Sequence, residues 1–356
     1  MTDIFQQIEA IQEEIRKTPH HKGTNRFIGL MRAKIARLKD KEIESSGKGG
    51  GGGGTSFSVK KQGDATVVLV GPPSAGKSTL INRLTNAESK VAPYAFTTVT
   101  VVPGMLKYNE AYIQILDIPG LIKGAKEGKG KGREVLSVAR AADLLLIMTD
   151  VARVSQIEKI VKELEGAGIR INQGKPDVLI NKKPEGGLEI HSNLKQEIDK
   201  ETMKEIAREY GIKNGDITIK ERVSLDRLFD AFSSNRVYIP ALFVLNKIDS
   251  GGVSADNRYL GISAEKDIGI QKLMDEIWKA LKFVTVFLVR PDEELTFDNP
   301  IVMKEEDTLK DVALKIGTDF TETKKLVKIW GKGARFPGQE VSFSTKVTEG
   351  MQIRYL

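Results

Sequence analysis

The apolar positions near the start of the chain recur at the spacing of a helical face. Two sets of residues carry the pattern: Ile4, Ile8, Ile11 and Ile15, then Phe27, Met31, Ile35 and Leu38. Residues three and four positions apart lie on the same side of a helix, so the two apolar faces can pack together. The pattern predicts a helical hairpin over residues 1–46. A run rich in glycine follows it and predicts a linker over residues 47–62.

Short apolar stretches then alternate with helical segments along the centre of the chain. The predicted strands cover residues 66–70, 111–116, 143–149, 241–245 and 259–262. Apolar strands separated by helices are typical of a mostly parallel sheet with helices on both faces. We therefore expect an α/β domain built from residues 63–165 and 238–282.

The interval between the third and fourth of these strands is far longer than a crossover connection needs. It contains strand patterns at residues 168–172, 178–181 and 216–220, a turn at 184–187, and helical patterns at 194–210 and 225–232. These patterns predict an inserted α+β subdomain over residues 166–237. The chain after residue 282 combines three strand patterns with one helical pattern at 309–316, which predicts a small β-grasp-like domain over residues 283–356.

Composition narrows the chemistry that the chain can perform. It has no cysteine and three histidines, which excludes disulfides and thiolate nucleophiles and predicts that any metal is held by oxygen ligands. The apolar runs are too short to cross a membrane, and the first residues do not resemble a secretory leader. We therefore expect a cytoplasmic protein without a membrane partner. A net charge of +7 suits a nucleic-acid or ribosomal partner.

The segment from Gly71 to Ser78, GPPSAGKS, matches the pattern G-x-x-x-x-G-K-[ST] between a predicted strand and a predicted helix. In this context the backbone N–H groups of the loop and the start of the helix bind phosphate oxygens. Lys77 is expected to contact the β and γ phosphates, and the Ser78 hydroxyl to bind Mg²⁺. The residues predicted to surround the phosphates are Gly71, Pro73, Ser74, Ala75, Gly76, Lys77, Ser78 and Thr79.

Three further motifs follow later predicted strands. Asp117-Ile-Pro-Gly120 places a carboxylate for Mg²⁺ and an N–H for the terminal phosphate. Asn246-Lys247-Ile-Asp249 places a carboxylate that can accept hydrogen bonds from N1–H and the amino group of guanine, whereas adenine would leave that charge unpaired. Ser263-Ala264-Glu265 offers backbone N–H groups to guanine O6. Together with the phosphate loop, this order of motifs predicts a guanine-nucleotide site.

The ordered motifs resemble those of GTPases related to translation factors, and further strings narrow the resemblance. Tyr94-Ala-Phe-Thr97-Thr98, followed by Pro103-Gly104, is similar to the first switch of the Obg superfamily. The strings EGAGIRIN at 165–172, NRVYIP at 235–240 and NKID at 246–249 resemble the developmentally regulated GTP-binding proteins, the Obg branch of archaea and eukaryotes. The string IWGK at 329–332 is similar to the TGS domain. The resemblance implies a P-loop GTPase domain with an N-terminal helical hairpin, a ribosomal-protein-like insertion and a C-terminal TGS domain.

This resemblance also implies a function. The chain would be a switch that binds GTP and GDP, hydrolyses GTP with Mg²⁺, and acts with a ribosome, rRNA or tRNA. The implied residues are Lys77, Thr98 and Gly120 for catalysis, and Ser78, Thr98 and Asp117 for the metal, with Thr97 as the alternative to Thr98.

Two positions bear on the rate of hydrolysis. Leu121 stands where Ras-like GTPases carry the glutamine that orients the attacking water. We therefore expect slow hydrolysis by the chain alone, or completion by a monovalent cation, a switch residue or an accessory protein. Ser74 stands where potassium-activated relatives often have asparagine, which leaves a requirement for K⁺ open.

Two other interpretations fit parts of the sequence. The phosphate loop alone suits a P-loop kinase or ATPase, although the base motifs favour guanine. The second interpretation is a binding module that uses GTP only for stability, with negligible turnover. This module would act through the basic hairpin, the insertion and the C-terminal domain. The basic residues that either face solvent only or contact a phosphate-rich partner are the segment 123–133 and Lys17, Lys22, Arg26, Arg32, Lys34 and Arg37. None of these patterns indicates an oligomeric state.

Overall fold

The structure is a computed structural model that describes residues 4–19, 21, 24–46, 62–85, 92–93, 100–118, 131–251, 256–317, 324 and 326–356. The predicted glycine-rich linker lies outside these residues except for residue 62. The chain divides into two compact units, one formed by residues 1–57 and 163–238 and the other by residues 58–162 and 239–356.

The first unit combines the N-terminal helices with the predicted insertion. Its helices are α1 (Ile4–Lys17), α2 (Asn25–Ser46), α6 (Lys200–Glu209) and α7 (Leu225–Phe232). Its strands are β6 (Ile169–Ile171), β7 (Val178–Lys182), β8 (Leu188–Ser192), β9 (Gly215–Ile219) and β10 (Val237–Ile239). Helix α5 (Gln156–Gly166) and strand β10 cross the boundary between the units.

One hydrophobic core holds this unit together. Ala33 of α2 is fully buried in the same cluster as Met203 of α6, Ile217 of β9 and Leu228 of α7. Strand β9 lies between β7, to which it is antiparallel, and β8, to which it is parallel. The second N-terminal helix therefore completes the core of the inserted α+β subdomain, which buries apolar surface that the insertion would otherwise expose.

The helix expected over residues 194–210 is shorter in the structure and starts at Lys200. Asp199 caps it, because its carboxylate accepts a hydrogen bond from the backbone N–H of Thr202 at 2.9 Å. The preceding residues are held in a loop, where Gln196 donates to the carbonyl of Glu221 and accepts from the N–H of Val223. Strand β8, which the sequence analysis did not predict, lies before this loop.

The second unit contains a seven-stranded sheet in the order β12-β11-β5-β1-β4-β3-β2. Its strands are β1 (Ala65–Val70), β2 (Ala92–Pro93), β3 (Thr100–Tyr108), β4 (Ala111–Asp117), β5 (Leu144–Asp150), β11 (Ala241–Asn246) and β12 (Tyr259–Gly261). Its helices include α3 (Lys77–Thr85), α4 (Lys131–Arg140) and α8 (Ile270–Ala280).

The centre of this sheet is parallel and covered on both faces. Every residue of β1 and β5 is buried, as expected for strands with helices on each side. Strands β2 and β3 extend the sheet with antiparallel pairing, which the sequence analysis did not predict. Pro103 and Gly104 interrupt the strand pattern of β3, and both residue types disfavour a strand interior.

The C-terminal region of the same unit forms a five-stranded sheet in the order β14-β13-β17-β15-β16. Its strands are β13 (Phe283–Leu288), β14 (Pro300–Lys304), β15 (Val327–Trp330), β16 (Gln339–Val341) and β17 (Gln352–Tyr355), and its helix is α9 (Leu309–Ile316). Phe283 and Val302 belong to the same core as the central sheet. Lys304 also pairs with Asp143 at 2.9 Å, which ties the small sheet to the start of β5.

The predicted fold class is therefore confirmed as an α/β protein with a β-rich C-terminal region. Among the helices in the described residues, none has both the length and the apolar character needed to span a bilayer.

Candidate guanine-nucleotide site

The predicted site motifs follow the carboxyl ends of neighbouring strands. Strands β1, β4, β5, β11 and β12 run parallel to one another, so their carboxyl ends meet at one edge of the sheet. Gly71 follows β1, Asp117 ends β4, and Asn246 ends β11. Such an edge is the usual ligand-binding position of an open α/β sheet.

The phosphate loop turns sharply between β1 and α3. Its backbone adopts the left-handed region at Ser74 (φ 62°) and at Gly76 (φ 90°). Lys77 is buried and folds back over the loop, where its Nζ donates to the carbonyls of Gly71 at 3.1 Å and Pro72 at 3.2 Å. The loop carbonyls thus satisfy this ammonium, and phosphate oxygens can take their place.

Thr79 continues the loop into the first turn of α3 and is exposed, as is Ser78. The first N–H groups of a helix generally lack partners within the helix, and together with the partial positive charge of this end they favour an anion.

The predicted metal ligands Ser78 and Asp117 lie together. The Ser78 hydroxyl donates to Oδ2 of Asp117 at 3.2 Å. Oδ1 of Asp117 is buried, has no hydrogen-bond partner in the described part of the chain, and lies 3.7 Å from Nζ of Lys77. Burial raises the pKa of Asp117 above its ordinary value, while the Lys77 charge and the Ser78 hydroxyl oppose that rise. An orphaned carboxylate oxygen beside a hydroxyl is a donor set that fits Mg²⁺.

Asn246 links the phosphate loop to the base-binding segments. Its Nδ2 donates to the carbonyl of Ala75 at 2.9 Å, and its Oδ1 accepts from the N–H of Ala264 at 3.0 Å. Lys247 adopts a left-handed conformation and donates to the carbonyl of Ser74 at 2.9 Å. Two of the predicted base-binding residues are thus also supports of the phosphate loop.

Asp249 is positioned by partners that the motif alone does not reveal. The hydroxyl of Ser263 and the ammonium of Lys266, which lies 3.3 Å away, both contact its carboxylate. These contacts lower the pKa of Asp249, with the Ser263 hydrogen bond as the largest cause. The carboxylate is therefore ionised at neutral pH, which is the form that accepts hydrogen bonds from guanine.

The segment predicted to bind guanine O6 is partly engaged within the protein. The N–H of Ser263 donates to the carbonyl of Ile268, and the N–H of Ala264 donates to Asn246. Ala264 would have to exchange Asn246 for the base to bind guanine O6, so the role of this segment stays a prediction.

Asp150 and Arg153 lie at the same sheet edge and were not identified by the sequence analysis. Asp150 ends β5, and Nη1 of Arg153 donates to the carbonyl of Pro73 at 3.1 Å. No sequence motif marks these residues. The signal is the strand order, because β5 lies between β1 and β11 and its end must therefore adjoin both motifs.

Four predicted functional positions lie outside the described residues. They are the alternative switch threonines Thr97 and Thr98, Gly120, and Leu121. Their assignments stay predictions.

Comparisons with known proteins agree with the motifs. A family model described as "50S ribosome-binding GTPase" matches residues 66–183, and one described as "C-terminal region of MMR_HSR1 domain" matches residues 185–283. A GTP-binding protein of Methanocaldococcus jannaschii is 42% identical, over 98% of this chain and 91% of its own length. The developmentally-regulated GTP-binding protein 1 of Xenopus laevis is 39% identical, over 96% of this chain and 95% of its own length. The chain belongs to the developmentally regulated GTP-binding protein family.

The resemblance inferred from the sequence motifs is thereby confirmed at the level of the family. Developmentally-regulated G-protein 3 of Arabidopsis thaliana is a further relative, 38% identical over 96% of this chain and 95% of its own length. As a member of the developmentally regulated GTP-binding protein family, the chain binds guanine nucleotides. The TGS assignment of residues 283–356 stays a prediction.

Proposed function

We propose that the chain hydrolyses GTP to GDP and phosphate with Mg²⁺, and that the bound nucleotide sets its affinity for a ribosomal or RNA partner. One observation carries the catalytic part of the proposal. Lys77, Ser78 and Asp117 meet at the carboxyl ends of β1 and β4, where Oδ1 of Asp117 has no hydrogen-bond partner among the residues that the structure describes. Burying a carboxylate oxygen in this way is costly unless a ligand completes it.

The residues of the chain would act mainly by stabilising negative charge on the phosphate groups. Lys77 would exchange the carbonyls of Gly71 and Pro72 for phosphate oxygens, and the loop N–H groups would bind the remaining oxygens. Ser78, Asp117 and Thr98 would hold Mg²⁺, which neutralises charge that develops on the transferring phosphoryl group.

Slow turnover follows from the residue after the D-x-x-G motif. Leu121 has no polar group with which to orient a water molecule. We therefore expect turnover on the order of minutes or slower for the chain alone, as for intrinsic GTPases that lack an activating partner. A switch residue, K⁺ bound near Ser74 or an accessory protein would complete the site.

Phosphate release from GTP tests this part of the proposal. The wild-type chain should release phosphate slowly with Mg²⁺ and not with excess chelator, and Lys77→Ala should release almost none. Lys107→Ala, which removes an exposed lysine paired with Glu110, is the matched control. Rapid release in sodium buffer would contradict the role of Leu121, and a potassium series at constant ionic strength tests the Ser74 position.

Asp117→Asn separates metal binding from nucleotide binding. The amide keeps the size of the side chain and removes the buried charge, so the nucleotide-free protein should be at least as stable as wild type. The increase in GDP affinity caused by Mg²⁺ should be reduced strongly. If Mg²⁺ strengthens GDP binding equally in both proteins, Asp117 does not contribute to the metal site.

A ribosomal or RNA partner is supported by the family description and by charge. The matched family model is described as a ribosome-binding GTPase, and the chain has a net charge of +7. Two of the hairpin residues predicted to face a partner are engaged within the chain, since Arg26 pairs with Glu205 and Lys17 with Glu13. These two residues are therefore weaker candidates for contact with a partner.

Ribosome co-sedimentation across a salt series tests the partner. Each phosphate that the protein neutralises releases counterions, so binding should weaken steeply with salt. It should also be stronger with a non-hydrolysable GTP analogue than with GDP. Replacing Lys126, Lys129 and Lys131 by alanine should lower the salt slope and leave GDP affinity unchanged, because none belongs to a nucleotide motif. Absence of co-sedimentation at low salt in every nucleotide state would contradict the ribosomal partner and leave hydrolysis untouched.

The second candidate is a GTP-stabilised binding module, favoured by Leu121. It predicts tight GTP binding and partner association with no phosphate release, even with Mg²⁺, K⁺ and ribosomes present.

A further inference from the structure

Three consecutive carbonyl oxygens of the phosphate loop each accept a hydrogen bond from a side chain outside the loop. Asn246 donates to Ala75 and Lys247 to Ser74, both at 2.9 Å. Nη1 of Arg153 donates to the third carbonyl, that of Pro73, at 3.1 Å. The first two donors belong to the guanine motif. Arg153 belongs to no nucleotide motif, and its contact needs a separate explanation.

Arg153 is held firmly in the position from which it reaches the loop. It lies in a single turn of 3-10 helix that follows β5, and its Nε contacts both carboxylate oxygens of Asp150, at 3.1 and 3.0 Å. Its backbone carbonyl accepts from the hydroxyl of Thr149, a fully buried residue. The Arg153 hydrogen bonds lower the pKa of Asp150, and the nearby Lys247 charge adds to this effect. The carboxylate of Asp150 therefore fixes the position of the Arg153 guanidinium.

The contact with Pro73 controls the direction of a backbone N–H group. The Pro73–Ser74 peptide bond is trans, so the carbonyl of Pro73 and the N–H of Ser74 point in opposite directions from one plane. A hydrogen bond that holds the carbonyl on the outside of the loop therefore holds this N–H on the inside. The inside is the face that binds phosphate oxygens in such loops.

The same peptide plane sets the strained conformation of Ser74. Ser74 is not glycine, yet it has a φ of 62°, a region that L-residues seldom adopt. Rotating the Pro73–Ser74 plane by half a turn would return Ser74 to a negative φ and turn its N–H away from the phosphates. The Arg153 hydrogen bond opposes this rotation directly, because the rotation would move the Pro73 carbonyl away from the guanidinium.

We propose that Arg153, anchored by Asp150, is a positioning residue that keeps the Pro73–Ser74 peptide in its nucleotide-binding orientation. It acts through Pro73 and does not itself need to touch the nucleotide. Loss of Arg153 would let the loop populate the rotated form, and the apparent affinity for nucleotide would fall in proportion to the competent fraction. This inference rests on nucleotide binding and not on hydrolysis, so GDP binding tests it even if the proposed catalytic function fails.

GDP binding by four variants, each compared with the wild-type chain, tests the inference. Arg153→Ala should weaken GDP affinity about tenfold and speed GDP dissociation, the loss expected for one hydrogen bond from a charged donor. Arg153→Ala combined with Ser74→Gly should regain most of that affinity, because glycine adopts positive φ without strain. GDP affinity of Ser74→Gly alone is the reference for the double variant, since relief of the strain at Ser74 alters affinity by itself. Arg258→Ala is the matched control, since Arg258 pairs with Asp256 in the same unit and does not contact the phosphate loop.

The rescue separates positioning from general support of the fold. Unchanged GDP affinity and dissociation in Arg153→Ala would overturn the proposal. So would a loss that Ser74→Gly does not restore, because Arg153 would then act by another route. Should Arg153→Ala not fold, Asp150→Asn with Arg153→Met removes the ion pair without leaving a charge unpaired. This pair of substitutions should show the same weakening and the same rescue by Ser74→Gly.

Discussion

A β-carbon on Gly76 would lie 2.2 Å from Nδ2 of Asn246, closer than two such atoms can approach. The side-chain amide of the guanine motif therefore occupies the space that any larger residue in the phosphate loop would need. Gly76 also has a φ of 90°, which a residue with a side chain adopts only with strain. Gly76 must therefore both adopt a positive φ and leave space for the Asn246 amide. The phosphate loop and the guanine motif consequently depend on each other.

Gly76→Ala should consequently abolish detectable nucleotide binding while the chain still folds. The added methyl would displace Asn246 and thereby break its hydrogen bonds to Ala75 and Ala264. Titration with fluorescent GDP measures the loss, and thermal unfolding without nucleotide checks the fold. Gly174→Ala is the control, since a β-carbon there meets nothing within 4 Å. Near-normal GDP binding by Gly76→Ala would show that the loop can relax around Asn246.

Asp249→Asn should change which base the site accepts. The wild-type carboxylate accepts from N1–H and the amino group of guanine, and adenine would leave it unpaired, so GTP should bind at least about a hundredfold more tightly than ATP. Asparagine supplies an N–H donor that suits the C2 carbonyl of xanthine, and preference should move toward xanthosine nucleotides. Competition by GTP, ATP and XTP against labelled GDP or XDP measures this shift.

Asp256→Asn provides the comparison for that experiment. Asp256 is an acid in the same unit whose partner is Arg258. Its substitution should leave base preference unchanged. Full retention of guanine preference by Asp249→Asn would contradict the assignment of Asp249 to the base.

The candidate site can be predicted from the sequence because its residues lie in short contiguous strings at strand ends. A string such as Asn246-Lys247-Ile-Asp249 contains both the chemistry and the turn that presents it. The support from Arg153 could not be read in the same way. The contact of Arg153 with the phosphate loop depends on β5 lying between β1 and β11. Strand order cannot be inferred from the residues of one strand alone.

In the fold, too, features set by neighbouring residues were predicted, and features set by residues far apart in the sequence were not. Two helices with a clear apolar face, α7 and α9, have the expected bounds, whereas the helix expected over residues 194–210 starts at Lys200. The pairing of Arg236 with Asp40, 196 residues apart, has no local signal. Strand β3 was missed because Pro103 and Gly104 mask its pattern, although Gly104 is needed there since a β-carbon would lie 2.6 Å from Thr85.

Asp40→Ala should destabilise the first unit strongly. Asp40 of α2 and Arg236 form a buried ion pair at 2.6 Å, and Arg236 also contacts Asp230 of α7. Removing one partner from a buried pair leaves an under-compensated charge, which costs about 3 kcal/mol. Denaturant unfolding measures the change, with Lys41→Ala, an exposed neighbour on α2, as the control.

The combined Asp40→Ala and Arg236→Ala substitutions complete a double-mutant cycle. Each single substitution already removes the ion pair, so the second substitution cannot remove it again. The double variant should therefore lose less unfolding free energy than the sum of the losses in the two single variants. Additive losses would show that Asp40 and Arg236 do not stabilise the unit through their contact.

Asp199 should make the stability of the first unit depend on pH in the acid range. Its carboxylate accepts from the hydroxyl of Thr202 at 2.6 Å and from the N–H of Thr202 at 2.9 Å, and these hydrogen bonds lower the pKa of Asp199. The folded chain therefore favours the ionised form. The stabilisation is complete above the ordinary carboxyl pKa of about 3.9 and is lost as pH falls through the lower pKa of the folded state.

Asp199→Ala should therefore lower the free energy of unfolding by about 1 kcal/mol at pH 7, the usual effect of removing a helix cap. The loss should become smaller as the pH falls below the ordinary pKa of an aspartate carboxyl group. Asp199→Asn should keep part of the cap at pH 7, because the amide oxygen can still accept from the backbone N–H of Thr202 while the hydrogen bond from the Thr202 hydroxyl is lost. It should also lose the acid dependence. Denaturant unfolding at a series of pH values measures both variants, with Glu197→Ala, an exposed acid in the preceding loop, as the control. A difference between Asp199→Ala and wild type that stays constant down to pH values near 2 would show that the charge of Asp199 does not contribute to the cap.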